Sequence, residues 1–384
     1  MYLYIIMELG FNDLNLNENL LKGVYLYGFT KPSKIQITGI QNINSGKDCL
    51  LQSQAGTGKT ATYLLGVLNR LDFNETKTQV IILTPTHELA EQVYEVASSL
   101  GKFLNIKICK CIGGTDLNVT REQLKNSQIV IGTIGRINHM IKEKRLSLHS
   151  IKTIILDEAD ELLADGYNEK LQNLFDKCSD GIQCCMISAT FTPVIFYVAK
   201  KIMHDPVKIL LKNSEVAVEL ISQFYVNVET EDLKFDTLLD LYSLISTSQA
   251  IIFCNTVEKV DWLKQKLVEN NFEITCIHGK LTQKEREEVI KDFRDGKTRI
   301  LLTTDLLSRG IDIPLVNLVI NYDLPINKET YIHRIGRCGR FDKKGVSITM
   351  VKMEEPVDMK MFNRFKHFYR LNIKELPDNI QKYL

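Results

Sequence analysis

Residues 53–60 read SQAGTGKT, and residues 151–160 read IKTIILDEAD. The second stretch is an apolar run typical of a buried strand, and it ends in carboxylates. The first has the spacing of a phosphate-binding loop, with a lysine and a hydroxyl at its end. Because the carboxyl ends of parallel strands share one edge of a sheet, the two stretches predict a nucleoside triphosphate site in an α/β domain.

The residue types in these stretches suit particular roles. Gly56 and Gly58 let successive backbone N–H groups face a polyphosphate, Lys59 reaches its outer phosphates, and Thr60 reaches a magnesium ion. Asp157 suits a metal ion, and the adjacent Glu158 can take a proton from an attacking water. The alternatives are an ordinary glycine-rich turn and an acidic first turn of a surface helix. The apolar run before Asp157 favours the strand and the nucleotide site.

Size and composition describe a globular protein. A chain of 384 residues exceeds what one hydrophobic core usually serves, so two domains are expected. Apolar residues make up 44% and prolines number eight, which argues against long disordered linkers. The 48 basic residues balance 47 acidic ones. Any nucleic-acid affinity must therefore come from locally grouped charge.

The nine cysteines include no Cys-x-x-Cys pair and lie mostly in apolar runs, so reduced core thiols and no structural metal are predicted. The opening run Met1–Met7 is apolar but short and lacks a basic flank, so it is a poor signal peptide. Met7 could equally be the true start. Since no apolar run is long enough to span a membrane, a soluble intracellular protein without a membrane partner is expected.

Apolar strand-like runs alternate with helical stretches in two sets, at about 48–211 and 223–351, which predicts parallel sheets covered by helices. A short polar stretch, 212–217, separates the sets. Helices are expected after Lys59 and His87, and the final stretch 354–384 is expected to form a helix and a short tail. The expected strands are 49–51, 80–83, 129–131, 154–156 and 185–187 in the first set, and 250–253, 274–276, 300–302 and 318–320 in the second.

Residues 333–340 read HRIGRCGR, a basic density that needs an anionic partner or an acidic neighbour. A solvated basic face is the alternative. If the two domains close over a triphosphate, Arg337 and Arg340 become candidate arginine fingers. Ser188 and Thr190 end another apolar run, where their hydroxyls either link the carboxylates to the rest of the cleft or simply form a turn.

The order of these motifs along the chain carries a resemblance to a known family. The chain closely resembles the DEAD-box RNA helicases over nearly its whole length, and most resembles the subfamily of eukaryotic initiation factor 4A and its nuclear paralogue. Residues 259–263, 283–286 and 319–325 carry the subfamily likeness. The family motifs occur at 28–36, 53–60, 85–90, 113–114, 133–136, 157–160, 188–190, 251–256, 278–279, 283–286, 304–312 and 333–340.

The resemblance implies two tandem RecA-like α/β domains, each a mostly parallel sheet with helices on both faces. The first would span 1–211 with an adenine-recognition segment at 10–40, the linker 212–218, and the second domain 219–384. The implied cofactors are ATP and Mg²⁺, the metal held by Thr60 and Asp157 partly through water. Phe29 would stack on the adenine and Gln36 would read its edge. The implied ATP and catalytic residues are Phe29, Gln36, Gly56, Thr57, Gly58, Lys59, Thr60, Asp157, Glu158, Gly310, Asp312, Arg337 and Arg340.

The resemblance also implies an RNA track read through phosphates and 2′-hydroxyls, selective for RNA but not for sequence. Asp160, Ser188, Thr190 and His333 would couple hydrolysis to strand separation. The implied RNA-contacting residues are Pro85, Thr86, Gly114, Thr133, Gly135, Arg136, Asn255, Gly279, Arg286 and Thr304.

Three residues depart from the family pattern. His87 replaces an arginine, which predicts weaker RNA binding at that point because histidine carries less charge at neutral pH. Ile134 replaces a proline and loses its fixed φ, which is expected to loosen the loop that positions Gly135 and Arg136. Lys280 replaces an acid, and we hypothesise that its charge compensates for His87.

The sequence thus predicts an RNA-dependent ATPase that locally unwinds short duplexes, acting in translation initiation as a cytoplasmic monomer with scaffold or activator proteins that bridge its domains. One alternative is a nuclear ATP-gated RNA clamp of the exon-junction type, valued for binding and scaffolding. A more distant alternative is a DNA translocase, which Gln36 and the Asp-Glu-Ala-Asp form disfavour.

Overall fold

The computed structural model of the chain describes residues 9–54, 56–164, 169–211, 220–245, 249–307, 316–339 and 344–383. The chain divides into two compact units, one formed by residues 1–53 and 57–210 and the other by residues 54–56 and 211–384. The proposed linker 212–218 and the opening run Met1–Met7 lie outside the described residues. Each unit is built around its own seven-stranded sheet.

All pairings in the first sheet are parallel, and its strand order is β3-β4-β2-β5-β6-β1-β7. Its strands are β1 (Cys49–Gln52), β2 (Val80–Leu83), β3 (Ile108–Cys111), β4 (Ile129–Gly132), β5 (Thr153–Asp157), β6 (Gln183–Ser188) and β7 (Val207–Ile209). The helices of this unit are α1 (Glu18–Leu26), α2 (Lys34–Asn44), α3 (Lys59–Asn69), α4 (His87–Leu100), α5 (Leu117–Leu124), α6 (Ile134–Lys142), α7 (Ala159–Leu162), α8 (Glu169–Phe175) and α9 (Pro193–Ile202).

The second sheet repeats this plan with all-parallel pairings and the order β10-β11-β9-β12-β13-β8-β14. Its strands are β8 (Ile221–Asn227), β9 (Gln249–Phe253), β10 (Ile274–Ile277), β11 (Ile300–Thr303), β12 (Val316–Asn321), β13 (Gly345–Val351) and β14 (Ile373–Glu375). Its helices are α10 (Leu233–Ile245), α11 (Val257–Glu269), α12 (Gln283–Arg294), α13 (Lys328–Ile335) and α14 (Pro356–Phe368).

Each sheet separates two apolar clusters, one on each face. Ile82 belongs to one cluster of the first unit and its neighbour Ile81 to the other, because successive strand side chains point to opposite faces. Ile251 and Ile252 divide in the same way in the second unit. Burial on both faces explains why the central strands are continuous apolar runs. The predicted fold class, two α/β domains with parallel sheets covered by helices, is confirmed.

All nine predicted strands form, as do the helices after Lys59 and His87. The predicted final helix also forms, but the tail beyond it adds β14, which pairs with β8 at the edge of the second sheet. The nine cysteines are free thiols, and all except the half-buried Cys178 are buried. Burial raises the pKa of Cys109 to about 12, as suits a core thiol.

Among the described residues, no helix combines the length and the apolar character needed to cross a membrane.

Candidate functional site

The phosphate-binding loop joins β1 to α3, and two glycines give it its shape. Gly56 and Gly58 adopt positive φ angles of 76° and 85°. Gly58 is also the N-cap of α3, so the loop leads directly into the helix N-terminus, whose N–H groups suit an anion. A Cβ at Gly58 would lie 2.5 Å from Nε2 of Gln36. Only glycine therefore suits this position, for both its φ and its closeness to Gln36.

Side chains hold the loop in place. The hydroxyls of Ser53 and Thr57 lie 2.6 Å apart, and Ser33 Oγ donates to the carbonyl of Thr57 at 2.9 Å. Lys59 Nζ donates to the carbonyl of Ser53 at 3.0 Å. These contacts place the Lys59 ammonium inside the curl of the loop, where it can meet the outer phosphates of a nucleotide.

The predicted adenine-recognition residues lie beside this loop. Gln36 is buried, and its Oε1 accepts the Ser33 N–H at 2.8 Å in a capping box that starts α2. The half-buried ring of Phe29 lies 6.1 Å from that of the buried Phe11 and 4.9 Å from that of the exposed Tyr27. The structure thus brings Gln36 against the loop and supports Phe29 with two neighbouring rings.

Asp157 ends β5 and is held from two sides. Tyr63, one turn into α3, donates its hydroxyl to Asp157 Oδ2 at 2.7 Å, and the Glu158 N–H donates to Oδ1 at 3.0 Å. Burial and the adjacent charge of Glu158 raise the pKa of Asp157 to about 7. Glu158 itself has φ 48°, a left-handed conformation that is uncommon outside glycine and frequent at active sites.

The end of β6 is joined to the carboxylates of residues 157–160. Thr190 Oγ1 donates to Asp160 Oδ2, and the Thr190 N–H donates to Ser188 Oγ at 3.2 Å. Gln52, at the end of β1, donates its amide to the carbonyl of Ala189 at 3.1 Å. The Thr190 hydroxyl therefore links the Asp160 carboxylate to the end of β6, whereas the Ser188 hydroxyl accepts a backbone N–H within the turn.

Strand order divides the carboxyl edge of the first sheet into two halves. The nucleotide-loop and carboxylate residues follow β1, β5 and β6, which are neighbours. The candidate RNA-contacting residues follow β2, β3 and β4, which are also neighbours and adjoin β5. These residues are Pro85 and Thr86 after β2, Gly114 after β3, and Thr133, Gly135 and Arg136 after β4.

Local hydrogen bonds fix the conformation of the candidate RNA-contacting residues at this sheet edge. Thr86 Oγ1 caps α4 by accepting the Leu89 N–H at 3.2 Å. Gly114 has φ 77°, and Arg136 donates to the carbonyl of Thr115 at 3.2 Å. A polar backbone edge rich in glycine and hydroxyl groups suits contact with phosphates and sugars.

The three departures have distinct surroundings. Nε2 of His87 accepts the Gly113 N–H at 3.3 Å, so this ring holds the glycine loop beside it. Ile134 begins α6 directly after the extended N-cap Thr133, so the helix starts there without a proline. Lys280 Nζ lies 2.9 Å from Glu258 Oε1 on the surface, which neutralises part of its charge.

The second unit places its candidate RNA residues in the same way. Asn255 follows β9, Gly279 follows β10 and Thr304 follows β11, and these three strands are neighbours in the second sheet. Arg286 lies in the first turn of α12, after the capping box that Thr282 and Glu285 form. Gly310, Asp312 and Arg340 lie outside the described residues.

The basic run 333–340 begins on α13 and continues past its end, and its arginines have different contacts. Arg334 is fully buried and bidentate to Asp305, with Nε–Oδ1 at 2.6 Å and Nη2–Oδ2 at 3.0 Å. Arg337 is buried, and its Nε donates to the carbonyl of His333 at 3.2 Å. Sequence reasoning missed Tyr63 and Arg334. The four-residue spacing of Tyr63 from Lys59 on α3 was the one signal available for it.

Comparison with known proteins agrees with these arrangements. Residues 33–196 match the DEAD/DEAH box helicase family, and residues 233–342 match the helicase conserved C-terminal domain. The chain is 46% identical to the ATP-dependent RNA helicase FAL1 of Kluyveromyces lactis, over 97% of this chain and 94% of that protein. It is 43% identical to eukaryotic initiation factor 4A of Caenorhabditis elegans, over 97% and 92% respectively.

Among solved structures, S. cerevisiae Dbp5 bound to RNA and ADP BeF3 matches with a TM-score of 0.90 and 35% identity, over 97% of each chain. The two parallel sheets are therefore tandem RecA-like domains, as predicted. The chain belongs to the DEAD-box family of ATP-dependent RNA helicases, which hydrolyse ATP and unwind RNA.

Proposed function

We propose that this chain uses ATP to open short RNA duplexes during translation initiation. The observation that carries the proposal is the divided edge of the first sheet, with the nucleotide residues after β1, β5 and β6 and the RNA candidates after the adjoining β2, β3 and β4. The likeness to initiation factor 4A proteins along nearly their whole length supports the translation role.

In this proposal the RNA backbone contacts the residues that follow three neighbouring strands in each domain. Thr86 and Thr133 supply hydroxyls, Gly114 lets the backbone approach closely, and Arg136 supplies charge. The second domain contributes Asn255, Gly279, Arg286 and Thr304. Contacts of this kind read phosphates and 2′-hydroxyls, so binding is selective for RNA without reading sequence.

For hydrolysis, Glu158 is the proposed acceptor of a proton from the attacking water, and Lys59 stabilises the charge that develops on the outer phosphates. Arg337 and Arg340 are the proposed arginine fingers, which act when the domains close over ATP. Phe29 and Gln36 hold the adenine, and Gly310 and Asp312 contact the ribose and phosphates. Asp160, Ser188, Thr190 and His333 couple hydrolysis to strand separation.

The residues present fit a magnesium ion. Thr60 and Asp157 offer a hydroxyl and a carboxylate, which are hard oxygen ligands of the kind that Mg²⁺ prefers. Burial and the adjacent charge of the buried Glu158 raise the pKa of Asp157, and a bound cation would offset both effects. When bound, magnesium neutralises the developing phosphate charge.

The first test is steady-state ATP hydrolysis by the purified chain with and without single-stranded RNA, with a matched DNA oligonucleotide as control. The proposal predicts strong stimulation by RNA alone. Equal stimulation by DNA would instead favour a DNA translocase. Binding should also be reciprocal, since RNA tightens ATP binding by the same factor as ATP tightens RNA binding.

The second test concerns the biological role. The chain should restore cap-dependent translation to a cytoplasmic extract depleted of its own initiation factor 4A, and Glu158→Gln should not. Failure to restore translation, combined with a long dwell time on RNA in the presence of ATP, would favour the nuclear clamp.

We also propose a cytoplasmic monomer, divided at 212–218, on which scaffold or activator proteins bridge the domains 1–211 and 219–384.

A further inference from the structure

Asp323 lies two residues beyond β12 in the second unit, where its side chain and carbonyl accept three hydrogen bonds. Its Oδ2 accepts the backbone N–H of Asn255 at 2.9 Å, and its Oδ1 accepts Lys234 Nζ at 3.0 Å. Its carbonyl accepts Nη1 of Arg334 at 2.9 Å. Asp323 is only 9% exposed, so it belongs to the support of the sheet edge and not to its outer surface.

Asn255 is exposed, yet the groups beneath it fix its position. Its Nδ2 donates to the carbonyl of Leu324 at 3.0 Å, and its Oδ1 accepts Nη2 of Arg334 at 2.7 Å. Together with the bond from its backbone N–H to Asp323, these contacts fix both its main chain and its amide plane. An exposed polar residue held so firmly loses little conformational entropy when it binds a ligand.

Arg334 and Lys234 hold Asp323 and Asn255 from below. The fully buried Arg334 is itself fixed by its bidentate pair with Asp305, so it cannot follow a displaced Asn255. Lys234 is also buried, and its ammonium lies 2.8 Å from Glu231 as well as 3.0 Å from Asp323. The Asp323 carboxylate therefore joins a rigid ionic cluster to the residue at the surface.

We infer that Asp323 is a positioning residue for RNA binding, which fixes Asn255 in the orientation that contacts the RNA backbone. This inference rests on the proposed assignment of Asn255 to the RNA track. Asp323 does not touch RNA. Its effect is transmitted through the Asn255 N–H and through Leu324, whose carbonyl follows Asp323 in the chain.

The test is a double-mutant cycle with Asn255→Ala, Asp323→Asn and the combined variant. The two donors contact different carboxylate oxygens, and an asparagine at 323 replaces one of these oxygens with an NH2 donor, so one of the two hydrogen bonds is lost. The measurements are the affinity for a labelled single-stranded RNA with a non-hydrolysable ATP analogue, and the RNA concentration that half-saturates the ATPase. Asp292→Asn is the matched control, since it alters an exposed aspartate–lysine pair of the same unit.

Each single variant should weaken RNA binding about tenfold, and the double variant should bind RNA no more weakly than Asn255→Ala alone. ATP hydrolysis at saturating RNA should change much less than the half-saturating RNA concentration. A merely structural Asp323 would lower thermal stability without this selective loss. Full additivity in the double variant, or wild-type RNA affinity in Asp323→Asn, would overturn the inference.

If Asp323→Asn fails to fold, Asp323→Glu replaces it, because glutamate keeps the charge for Lys234 but moves the carboxylate. Weaker RNA binding by the folded glutamate variant supports positioning, and unchanged binding overturns it. Failure of the proposed function has a different signature, an ATPase that RNA does not stimulate in the wild-type chain. A stimulated wild-type enzyme in which Asn255→Ala has no effect overturns the roles of Asn255 and Asp323 alone.

Discussion

The hydroxyl of Tyr63 donates a 2.7 Å hydrogen bond to Oδ2 of Asp157, across the space between α3 and β5. Lys59, which begins the same helix, is one turn away from Tyr63. One helix therefore supplies the ammonium for the phosphates and holds the carboxylate of the proposed metal site. This hydrogen bond therefore connects the phosphate-binding loop rigidly to the carboxylate of the proposed metal site.

Burial raises the pKa of Asp157, and the hydrogen bond from Tyr63 lowers it by a smaller amount. Tyr63→Phe removes this hydrogen bond. The pKa of Asp157 should therefore rise further, and a smaller fraction should be ionised at pH 7. We expect the magnesium concentration for half-maximal ATPase to increase severalfold and the deficit to shrink as the pH rises. Tyr331→Phe, which removes another buried tyrosine hydroxyl, is the control. A deficit independent of pH would contradict the assignment.

Glu158→Gln keeps the shape of the side chain but removes its ability to accept a proton. ATP and RNA binding should be retained while turnover falls by about a hundredfold or more. The two quantities are measured separately, by nucleotide and RNA titration and by phosphate release. Normal turnover in this variant would exclude Glu158 as the base.

Gly58→Ala should impair nucleotide binding through both strain and a clash, because φ is 85° and the new Cβ would lie 2.5 Å from Gln36 Nε2. We expect at least about a tenfold loss of ATP affinity, worth about 1.4 kcal/mol. Gly181→Ala is the matched control, since φ there is 80° with nothing within 4 Å of the new Cβ. It should lower stability by about 1 kcal/mol and leave ATP binding unchanged. If Gly58→Ala and Gly181→Ala bound ATP equally well, the contact with Gln36 would have no role in ATP binding.

Lys280→Asp tests the hypothesis that this lysine compensates for His87. The variant removes a positive charge and sets a carboxylate opposite Glu258. RNA affinity should fall. The slope of log affinity against log salt, which is negative, should become shallower by about one. Lys266→Asp, on α11 with Glu258, is the control because its partner is also an exposed glutamate. An unchanged slope in Lys280→Asp would remove the hypothesis.

Asp48→Ala concerns stability alone. The buried Asp48 carboxylate accepts the backbone N–H groups of Cys184 at 2.7 Å and His204 at 2.6 Å. Removing it leaves two backbone donors without this acceptor, at a cost of about 2–4 kcal/mol in the free energy of unfolding. Denaturant titration measures the change, and Asp72→Ala at an exposed turn should cost less than about 1 kcal/mol.

The central strands were predictable because burial on both faces demands continuous apolar runs, as in β2 and β5. The edge strands β3, β7 and β14 were missed because a lysine interrupts each short run, and β8 was missed because Ser222 and Gln223 interrupt it. β13 was also missed, although it is buried throughout, because Ser347 and Thr349 interrupt its apolar run. Strands are therefore predicted correctly from sequence where their residues are uniformly apolar, and are missed where polar residues interrupt the run.

The sequence by itself determined the chemistry of the nucleotide site, because the glycine spacing before Lys59 and the carboxylates after an apolar run constrain what such residues can do. It also determined that two α/β units follow one another. Only the tertiary structure decided which groups hold those residues, since Tyr63 and Asp157 are distant in the chain, as are Asp323 and Asn255. Such pairs depend on strand order, and strand order follows from the packing of the whole sheet.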